Sequence, residues 1–289
     1  SKSKIITKMI LSHHKERVIK FLSLLLLSCS IPACADVYQW EDTHGNKHFS
    51  DHAHDNSKKI EIKPSFSYYK VERVFDGDTV KLENGRKIRL LGINTPEIKH
   101  RNQDTEAGGE TAKRWLTDKL KNHKVRLVAD VEQTDKYRRT LTHLFTENKE
   151  HINLQLVEMG LAAVNIYPPN LLYVNELVEA GKRAEQAKRG IWQQAEYAVI
   201  PVDKLGKSGH SGWIRLMGKV SIIRSSRKYA YLEFSDLFQA RIEKKWLSLF
   251  PGINSYRGKT VEVRGWLNKN KGGWSMLIRH PSAIKIIPG

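Results

Sequence analysis

Between residues 68 and 195, short runs with the apolar spacing of β-strands alternate with stretches that have the apolar spacing of helices. This alternation limits the fold more than any other feature of the sequence. Five β-rich runs bounded by Gly, Asn, Asp and Pro are predicted as strands: residues 69–74, 79–82, 87–91, 125–131 and 141–145. Three helices are predicted: one on the stripe Ala112, Trp115, Leu116 and Leu120, one over 152–159, and one capped by Asn170 with apolar residues from 171 to 184. This order predicts a mainly β fold with α, built on a small closed or partly open barrel.

Charged residues collect at the turns of this predicted barrel. Two acidic residues flank Gly77 in Asp76-Gly77-Asp78, and the segment Asn94-Thr95-Pro96-Glu97 follows the strand that carries Arg89. A third segment, from Asp135 to Arg139, sets two arginines beside an aromatic residue. Each segment alone is most simply an ordinary turn or a solvated loop. Their occurrence together in one small domain indicates a common site.

In this order, and with Gly160-Leu161-Ala162 and Gly190-Ile191-Trp192, the segments resemble the staphylococcal nuclease (thermonuclease) family over about residues 69–193. The resemblance implies a five-stranded OB-type barrel with three helices. It also implies calcium-dependent hydrolysis of phosphodiesters in DNA and RNA that leaves 3′-phosphate ends. By motif position, Arg89 and Arg139 would bind phosphate, Glu97 would be the general base, and Asp78 and the Thr95 carbonyl would bind the metal ion.

The chain departs from the family pattern at two positions. Asn94 stands where the family commonly has an aspartate, and Arg138 stands where a glycine often precedes the second arginine. An amide oxygen can coordinate Ca²⁺, but fewer ligand charges weaken binding, so Asn94 is predicted as a weaker metal ligand. Further contacts to substrate are predicted from four residues: Asp76, Tyr137, Arg138 and Tyr167. Asp76 could instead be a supporting carboxylate of the site, and Tyr167 could instead be the general base.

These residue types also suit phosphodiester hydrolysis on physical grounds. Attack on the phosphorus builds negative charge on the phosphate oxygens, and a divalent ion with two guanidinium groups stabilises that charge. A carboxylate beside the attacking water can take its proton. Because the ligands are oxygen atoms, Ca²⁺ is the expected cofactor, with Mg²⁺ or Mn²⁺ as alternatives, rather than zinc.

The N-terminal segment has the pattern of a secretory signal. Three basic residues precede the apolar run 21–27, and Ala33-Cys34-Ala35 offers a cleavage site of small residues. An exported protein, periplasmic or secreted, is therefore expected, without stable membrane insertion after the signal is removed. An uncleaved anchor, or lipid attachment at Cys29 or Cys34, are the alternatives. Residues 36–67 resemble a short module of unknown function from bacterial envelope proteins and are predicted to form a small hairpin.

The C-terminal third carries most of the positive charge. The net charge is +18, and residues 196–289 contribute +11 of it, with 17 Lys and Arg against 6 Asp and Glu. Predicted strands at 214–223, 229–234, 238–242, 260–267, 274–278 and 284–287, with a short helix at 244–250, resemble a second OB-like barrel. Its aromatic residues would suit either a nucleic-acid stacking surface or a core: Trp213, Tyr229, Tyr231, Phe238, Trp266 and Trp274.

The predicted organisation has five segments. They are a signal peptide (1–35), a hairpin module (36–67), a nuclease domain (68–195), a linker (196–212) and a basic barrel (213–289). DNA and/or RNA is the predicted partner. Two alternatives stay open: an envelope protein that binds nucleic acid with a nuclease site weakened at Asn94, and a structural protein that binds acidic wall polymers.

Overall fold

The computed structural model describes residues 37–60, 67–98, 106–206, 212–270 and 273–288. The chain forms two compact units, residues 1–65 and residues 66–289. The segment predicted as a secretory signal lies outside the described residues. Among the helices of the described ranges, none combines the length and the apolar character that a bilayer crossing requires.

The first unit contains a three-stranded antiparallel sheet. Its strands are β1 (Val37–Glu41), β2 (Lys47–Ser50) and β3 (Lys58–Ile60), in the order β2-β1-β3. The predicted turn at Gly45 has φ +82°, a conformation that glycine adopts without strain. Trp40 stacks on His48 with ring centroids 5.4 Å apart, and His48 is also hydrogen-bonded to Asp42. The sheet is thus supported by the aromatic contacts of Trp40 with His48 and His54 and by the polar turn at Asp42.

The second unit begins with the predicted five-stranded barrel. Its strands are β4 (Tyr68–Val74), β5 (Thr79–Leu82), β6 (Lys87–Leu90), β8 (Lys124–Val128) and β9 (Thr140–Thr146), closed in the order β4-β5-β6-β9-β8. Only the pair β6 and β9 is parallel within this ring. A short bridge of β7 (Ile93–Asn94) and β10 (Ala163–Val164) lies beside it. Strand β8 ends three residues before the predicted boundary, and Val131 is exposed.

Three helices pack on the barrel, as predicted. They are α1 (Gly109–Leu120), α2 (Ile152–Glu158) and α3 (Val174–Gln186). The stripe through Ala112, Leu116 and Leu120 is buried in the barrel core. The predicted cap of α3 is wrong: the helix begins after Tyr173, and the Asn170 side chain instead bonds the backbone N–H and carbonyl of Glu132. Asn170 was misassigned because its type suits a helix cap and a loop bridge equally.

The C-terminal strands repeat the topology of the first barrel. They are β12 (Trp213–Lys219), β13 (Ile222–Ser225), β14 (Tyr229–Ser235), β15 (Phe238–Glu243), β16 (Thr260–Asn270), β17 (Gly273–Ile278) and β18 (Ile284–Ile286). The predicted single strand 214–223 is bent: its first part, β12, pairs with β16, and its second part, β13, pairs with β14. Since β14, β15, β17 and β16 follow as neighbours, and β15 and β17 are parallel, the strand order matches that of the first barrel. The predicted helix is a 3₁₀ helix over Lys244–Leu249.

The segment predicted as a linker is largely structured. Strand β11 (Val199–Pro201) pairs in parallel with β12, and Val202 and Leu205 are buried in the core of the second barrel. Residues 207–211 lie outside the described residues. Pro201 and the stretch Gly206-Lys207-Ser208-Gly209 suggested a linker, but the apolar residues at 199, 200, 202 and 205 belong to the second barrel, which therefore begins before residue 213.

A buried ionic cluster joins the two barrels within the second unit. Glu185 of α3 pairs with Arg215 of β12 and, at 2.9 Å, with Arg264 of β16. Glu262 completes the cluster, accepting from Arg215 Nε at 2.8 Å. Because these four side chains are largely buried and each carboxylate meets two guanidinium groups, the charges compensate one another away from water. The cluster therefore fixes the second barrel against α3.

Candidate active site

The turn between β4 and β5 buries the carboxylate of Asp78. Its Oδ2 accepts a hydrogen bond from the Thr95 backbone N–H at 2.9 Å and pairs with Arg89 Nη1 at 2.9 Å. Its Oδ1 accepts from the Thr79 hydroxyl at 3.1 Å, and the Asp78 N–H donates to Asp76 Oδ1 at 2.9 Å. The turn thus holds two carboxylates side by side, one of them almost fully buried.

Gly77 is required between these carboxylates by lack of space. A Cβ atom at this position would lie 2.6 Å from Ala112 Cβ of α1 and 2.7 Å from Thr95 Cγ2. Both distances are far below van der Waals contact, so any side chain would displace Thr95 or the helix. The geometry of the Asp76-Gly77-Asp78 turn therefore depends on helix packing as well as on the turn itself.

Arg89 joins Asp78 to Asn94. Arg89 lies on β6 with its guanidinium largely buried, and its Nη2 donates to Asn94 Oδ1 at 3.3 Å. Asn94 Nδ2 in turn donates to the Thr95 carbonyl oxygen at 3.3 Å. Pairing of Asn94 with Ala163 across β7 and β10 sets this position. Four predicted site residues, Asp78, Arg89, Asn94 and Thr95, are consequently in one hydrogen-bonded group.

The charge of Asp78 is incompletely neutralised by this group. Burial raises the pKa of Asp78 to about 6, and the neighbouring Asp76 adds to the rise, while Arg89 and the Thr95 N–H oppose it. A raised carboxyl pKa means that the surroundings favour the neutral form. A further cation bound here would remove that penalty.

Glu97 lies in the loop after β7. Its backbone N–H donates to Glu106 Oε2 at 2.9 Å, and its carbonyl accepts from the Glu106 N–H at 3.0 Å. The residue as a whole is exposed, but its carboxyl group is partly surrounded by protein atoms. This burial and the charge of Asp78 raise the pKa of Glu97, whereas Arg89 and Arg139 act to lower it. Glu97 therefore shares one electrostatic environment with Asp78 and both arginines, and a raised pKa suits a group that accepts a proton.

Asp135 orients the second arginine, a role that sequence reasoning missed. Its Oδ1 accepts from the backbone N–H groups of Tyr137 and Arg139 at 2.9 Å each, and its Oδ2 accepts from Arg139 Nε at 2.7 Å. Burial opposes ionisation of Asp135, but these bonds with Arg139 lower its pKa overall. Because only Nε is engaged in this ion pair, both terminal nitrogens of Arg139 remain for a phosphate. The four-residue spacing of Asp135 and Arg139 was the available signal.

Tyr137 and Arg138 project from the same loop. Tyr137 is 68% exposed, and its ring faces Lys136 and Arg139 at 4.9 Å and 5.5 Å from the centroid. Arg138 has a left-handed backbone, φ +63°, a conformation that glycine adopts without strain. An L-residue pays about 1–2 kcal/mol for this conformation. Both side chains lie at the rim of the loop rather than in the hydrogen-bonded group around Asp78.

Tyr167 lies in a loop that connects the two halves of the site. The loop begins at β10, the partner of the strand that carries Asn94, and the Asn165 N–H donates to the Gly92 carbonyl at 2.9 Å. At its other end, Asn170 bonds the backbone of Glu132, which precedes the Asp135 to Arg139 loop. Tyr167 itself is 42% exposed. It is therefore held between the Asn94 segment and the loop that carries Arg139, with part of its ring at the surface.

The donor atoms around Asp78 fit a hard divalent cation. Asp78, Asp76, the Asn94 amide and the Thr95 carbonyl supply oxygen only, which suits Ca²⁺ or Mg²⁺. Within the described ranges, three His, Cys, Asp or Glu side chains never come together as a ligand set. An ion at this position would therefore rely on carbonyl and amide oxygens and on water as well as on carboxylate.

A closed five-stranded barrel with this charged group defines a staphylococcal nuclease-like protein. The family model described as staphylococcal nuclease homologue matches residues 87–194, and a domain of unknown function (DUF4124) matches residues 24–67. The thermonuclease of Staphylococcus hyicus is 37% identical over 127 residues, 43% of this chain and 75% of that protein. Endonuclease YncB of Bacillus subtilis is 27% identical over 202 residues, 64% of this chain and 95% of that protein. The chain belongs to the staphylococcal nuclease family.

Proposed function

We propose that this protein is an exported, metal-dependent nuclease that hydrolyses phosphodiester bonds of DNA and/or RNA. The observation that carries the proposal is the group in which Arg89 bridges Asp78 and Asn94 while Glu97 and Arg139 share its electrostatic environment. The names of the thermonuclease and endonuclease relatives agree with this activity.

Each side chain has a role in the proposed reaction. Arg139, oriented by Asp135, and Arg89 bind the scissile phosphate and stabilise the charge that develops on its oxygens. Glu97 accepts the proton of the attacking water as the new P–O bond forms and the bond to the leaving oxygen breaks, an effect worth about 10²–10⁴ in rate. Bound beside Asp78, Asn94 and Thr95, Ca²⁺ would supply additional positive charge at the phosphate.

One observation supports the alternative of a catalytically weakened nucleic-acid-binding envelope protein. The Asn94 amide donates to the Thr95 carbonyl, so two of the oxygen-bearing groups proposed to bind metal are bonded to each other. Cleavage of a supercoiled plasmid separates the alternatives. We expect nicking with Ca²⁺, none with chelator, and a loss of about 10²-fold or more in Glu97→Gln with binding retained. Binding without cleavage under any divalent cation would support the weakened protein.

Export is proposed from the basic and apolar pattern of residues 15–35. Expression of the full chain in a bacterial host, followed by fractionation and N-terminal sequencing of the product, tests it. A mature protein that begins near Asp36 outside the cytoplasm would support export. An unprocessed chain in the membrane fraction would support an anchor, and an unprocessed chain in the cytoplasm would refute export.

A further inference from the structure

Arg279 of the second barrel contacts the loop that carries Tyr167. Arg279, which directly follows β17, lies over the Tyr167 ring with its guanidinium carbon 4.4 Å from the ring centroid. Tyr167 is the exposed residue of the loop held between the Asn94 and Arg139 segments. A guanidinium group of the second barrel is thus placed at the rim of the nuclease site.

Arg279 is a cation without a carboxylate partner among the described residues. It appears in no ion pair there, whereas Arg264, which lines the same crevice as Arg279, is neutralised by Glu185 and Glu262. An arginine stacked on an aromatic ring keeps its in-plane N–H donors available for phosphate. The stacked pair can therefore bind a phosphate through Arg279 and a base or sugar through the remaining surface of Tyr167.

A row of side chains continues from Arg279 across the outer face of the second barrel. Leu277 lies two residues before Arg279, and both line the small crevice between the barrels. Leu277 pairs with Arg241 of β15, Arg241 with Tyr231 of β14, and Tyr231 with Arg224 of β13. Because neighbouring strands are about 4.8 Å apart, this row extends roughly 14 Å across the sheet.

Aromatic rings and cations alternate on this face. The Arg224 guanidinium lies 5.2 Å from the Tyr231 centroid, and Arg241 and Lys228 lie 5.4 Å and 5.2 Å from the Tyr229 centroid. The inward-facing residues Phe238 and Trp274, by contrast, are buried in the core. The sequence could not separate these two aromatic classes, whereas the strand register does.

Two carboxylates on the face reduce but do not cancel its charge. Glu233 pairs with Arg224, and Glu243 lies 3.7 Å from Lys228 and 3.3 Å from Lys245. Arg241 and Arg279 have no ion-pair partner among the described residues. The face therefore retains positive charge at the two positions nearest the nuclease site.

We propose that the second barrel continues the substrate path: a single nucleic-acid strand leaving the nuclease site passes over the stacked pair of Tyr167 and Arg279 and crosses the outer face of β17, β15 and β14. Phosphates bind Arg279 and Arg241, and bases stack on Tyr231 and Tyr229. This inference rests on the proposed nuclease function.

The test uses full-length protein carrying Glu97→Gln, so that binding is measured without cleavage. Affinity for a labelled 20-nucleotide single strand is measured against salt for Arg279→Ala, Arg241→Ala and the control Arg257→Ala. Arg257 is exposed at the turn before β16 and makes no ion pair within the described ranges. We expect both test variants to lose about fivefold or more in affinity and about 0.7 in the slope of log K against log salt, and the control to lose much less.

Two further measurements separate binding from structure. Arg279→Lys should restore the salt slope, because it keeps the charge, whereas a purely structural stack on Tyr167 would leave the slope unchanged in every Arg279 variant. Arg241→Ala and the parent protein should have the same affinity for a 4-nucleotide strand. Test variants that match Arg257→Ala would overturn the proposed path. If the protein with Glu97 intact cleaves no nucleic acid with any divalent cation, the proposed nuclease function is refuted. The measured effect of Arg279 and Arg241 on strand binding would still hold.

Discussion

Replacement of Asn94 by aspartate tests directly whether this position contacts a metal ion. In the structure the Asn94 amide donates to the Thr95 carbonyl at 3.3 Å, and its oxygen accepts from Arg89 at 3.3 Å. In Asn94→Asp the donated bond is lost, which costs about 1 kcal/mol, and a carboxylate oxygen faces the carbonyl oxygen. The new charge is also almost fully buried beside Asp78.

The free energy of unfolding should therefore fall without divalent cation and recover with it. In chelator we expect the free energy of unfolding to fall by about 2–3 kcal/mol. Arg89 is already paired with Asp78, so it compensates the charge of a second buried carboxylate only in part. An added ligand charge should lower the Kd for Ca²⁺ about tenfold or more, so saturating Ca²⁺ should stabilise the variant by at least about 1.4 kcal/mol more than the parent.

Urea denaturation in chelator and at fixed free Ca²⁺ measures both effects, and the Ca²⁺ dependence of plasmid cleavage measures the requirement in catalysis. Asn94→Ala is the control without added charge: it removes the bond donated to the Thr95 carbonyl, as Asn94→Asp does, and also the oxygen that accepts from Arg89. It should lose stability in chelator and gain no Ca²⁺ affinity. Equal Ca²⁺ requirements in the aspartate and alanine variants would show that residue 94 does not contact the ion.

Four further outcomes follow from the site and the core. Glu97→Gln should reduce single-turnover cleavage by about 10²-fold or more with unchanged strand affinity; full activity would place the base elsewhere. Arg139→Lys should lower kcat/KM although charge is kept, because the fork to phosphate is lost. Gly77→Ala should lower the urea midpoint, since its Cβ would meet helix and loop atoms at 2.6–2.9 Å. Burial lowers the pKa of His143 to about 4 and of His151 to about 3, so the stability that these neutral side chains contribute is present above pH 6.5 and is lost as pH falls below it. Urea unfolding at pH 7.5 and pH 5 should differ by about 2 kcal/mol per histidine, and by less in His151→Gln; an unchanged difference would refute the assignment.

Local periodicity and turn chemistry predicted most of the fold. The five strands predicted between residues 69 and 145 and the three predicted helices are all present in the structure. Each could be predicted because it carries a complete apolar pattern of its own. The positions of Asp78, Asn94 and Thr95 at strand ends could also be predicted, since turn residues mark these ends in the sequence. The role of Asn170 could not, because it depends on Glu132, a partner 38 residues away. Arg279 was missed for the same reason: its contact with Tyr167 joins two barrels and leaves no local pattern.

The ionic cluster between the barrels determines how the second barrel must be tested. Deletion from residue 207 would leave Val202 and Leu205 without their core and would separate Glu185 from Arg215 and Arg264. A buried carboxylate that loses its partners destabilises a protein by about 3–5 kcal/mol, so a truncated chain would lose stability in α3 as well as any binding surface. Weak binding by such a chain would have two causes. Single substitutions of Arg279 or Arg241 change the surface charge without removing a member of the cluster, and they therefore report on substrate binding more directly than a truncation does.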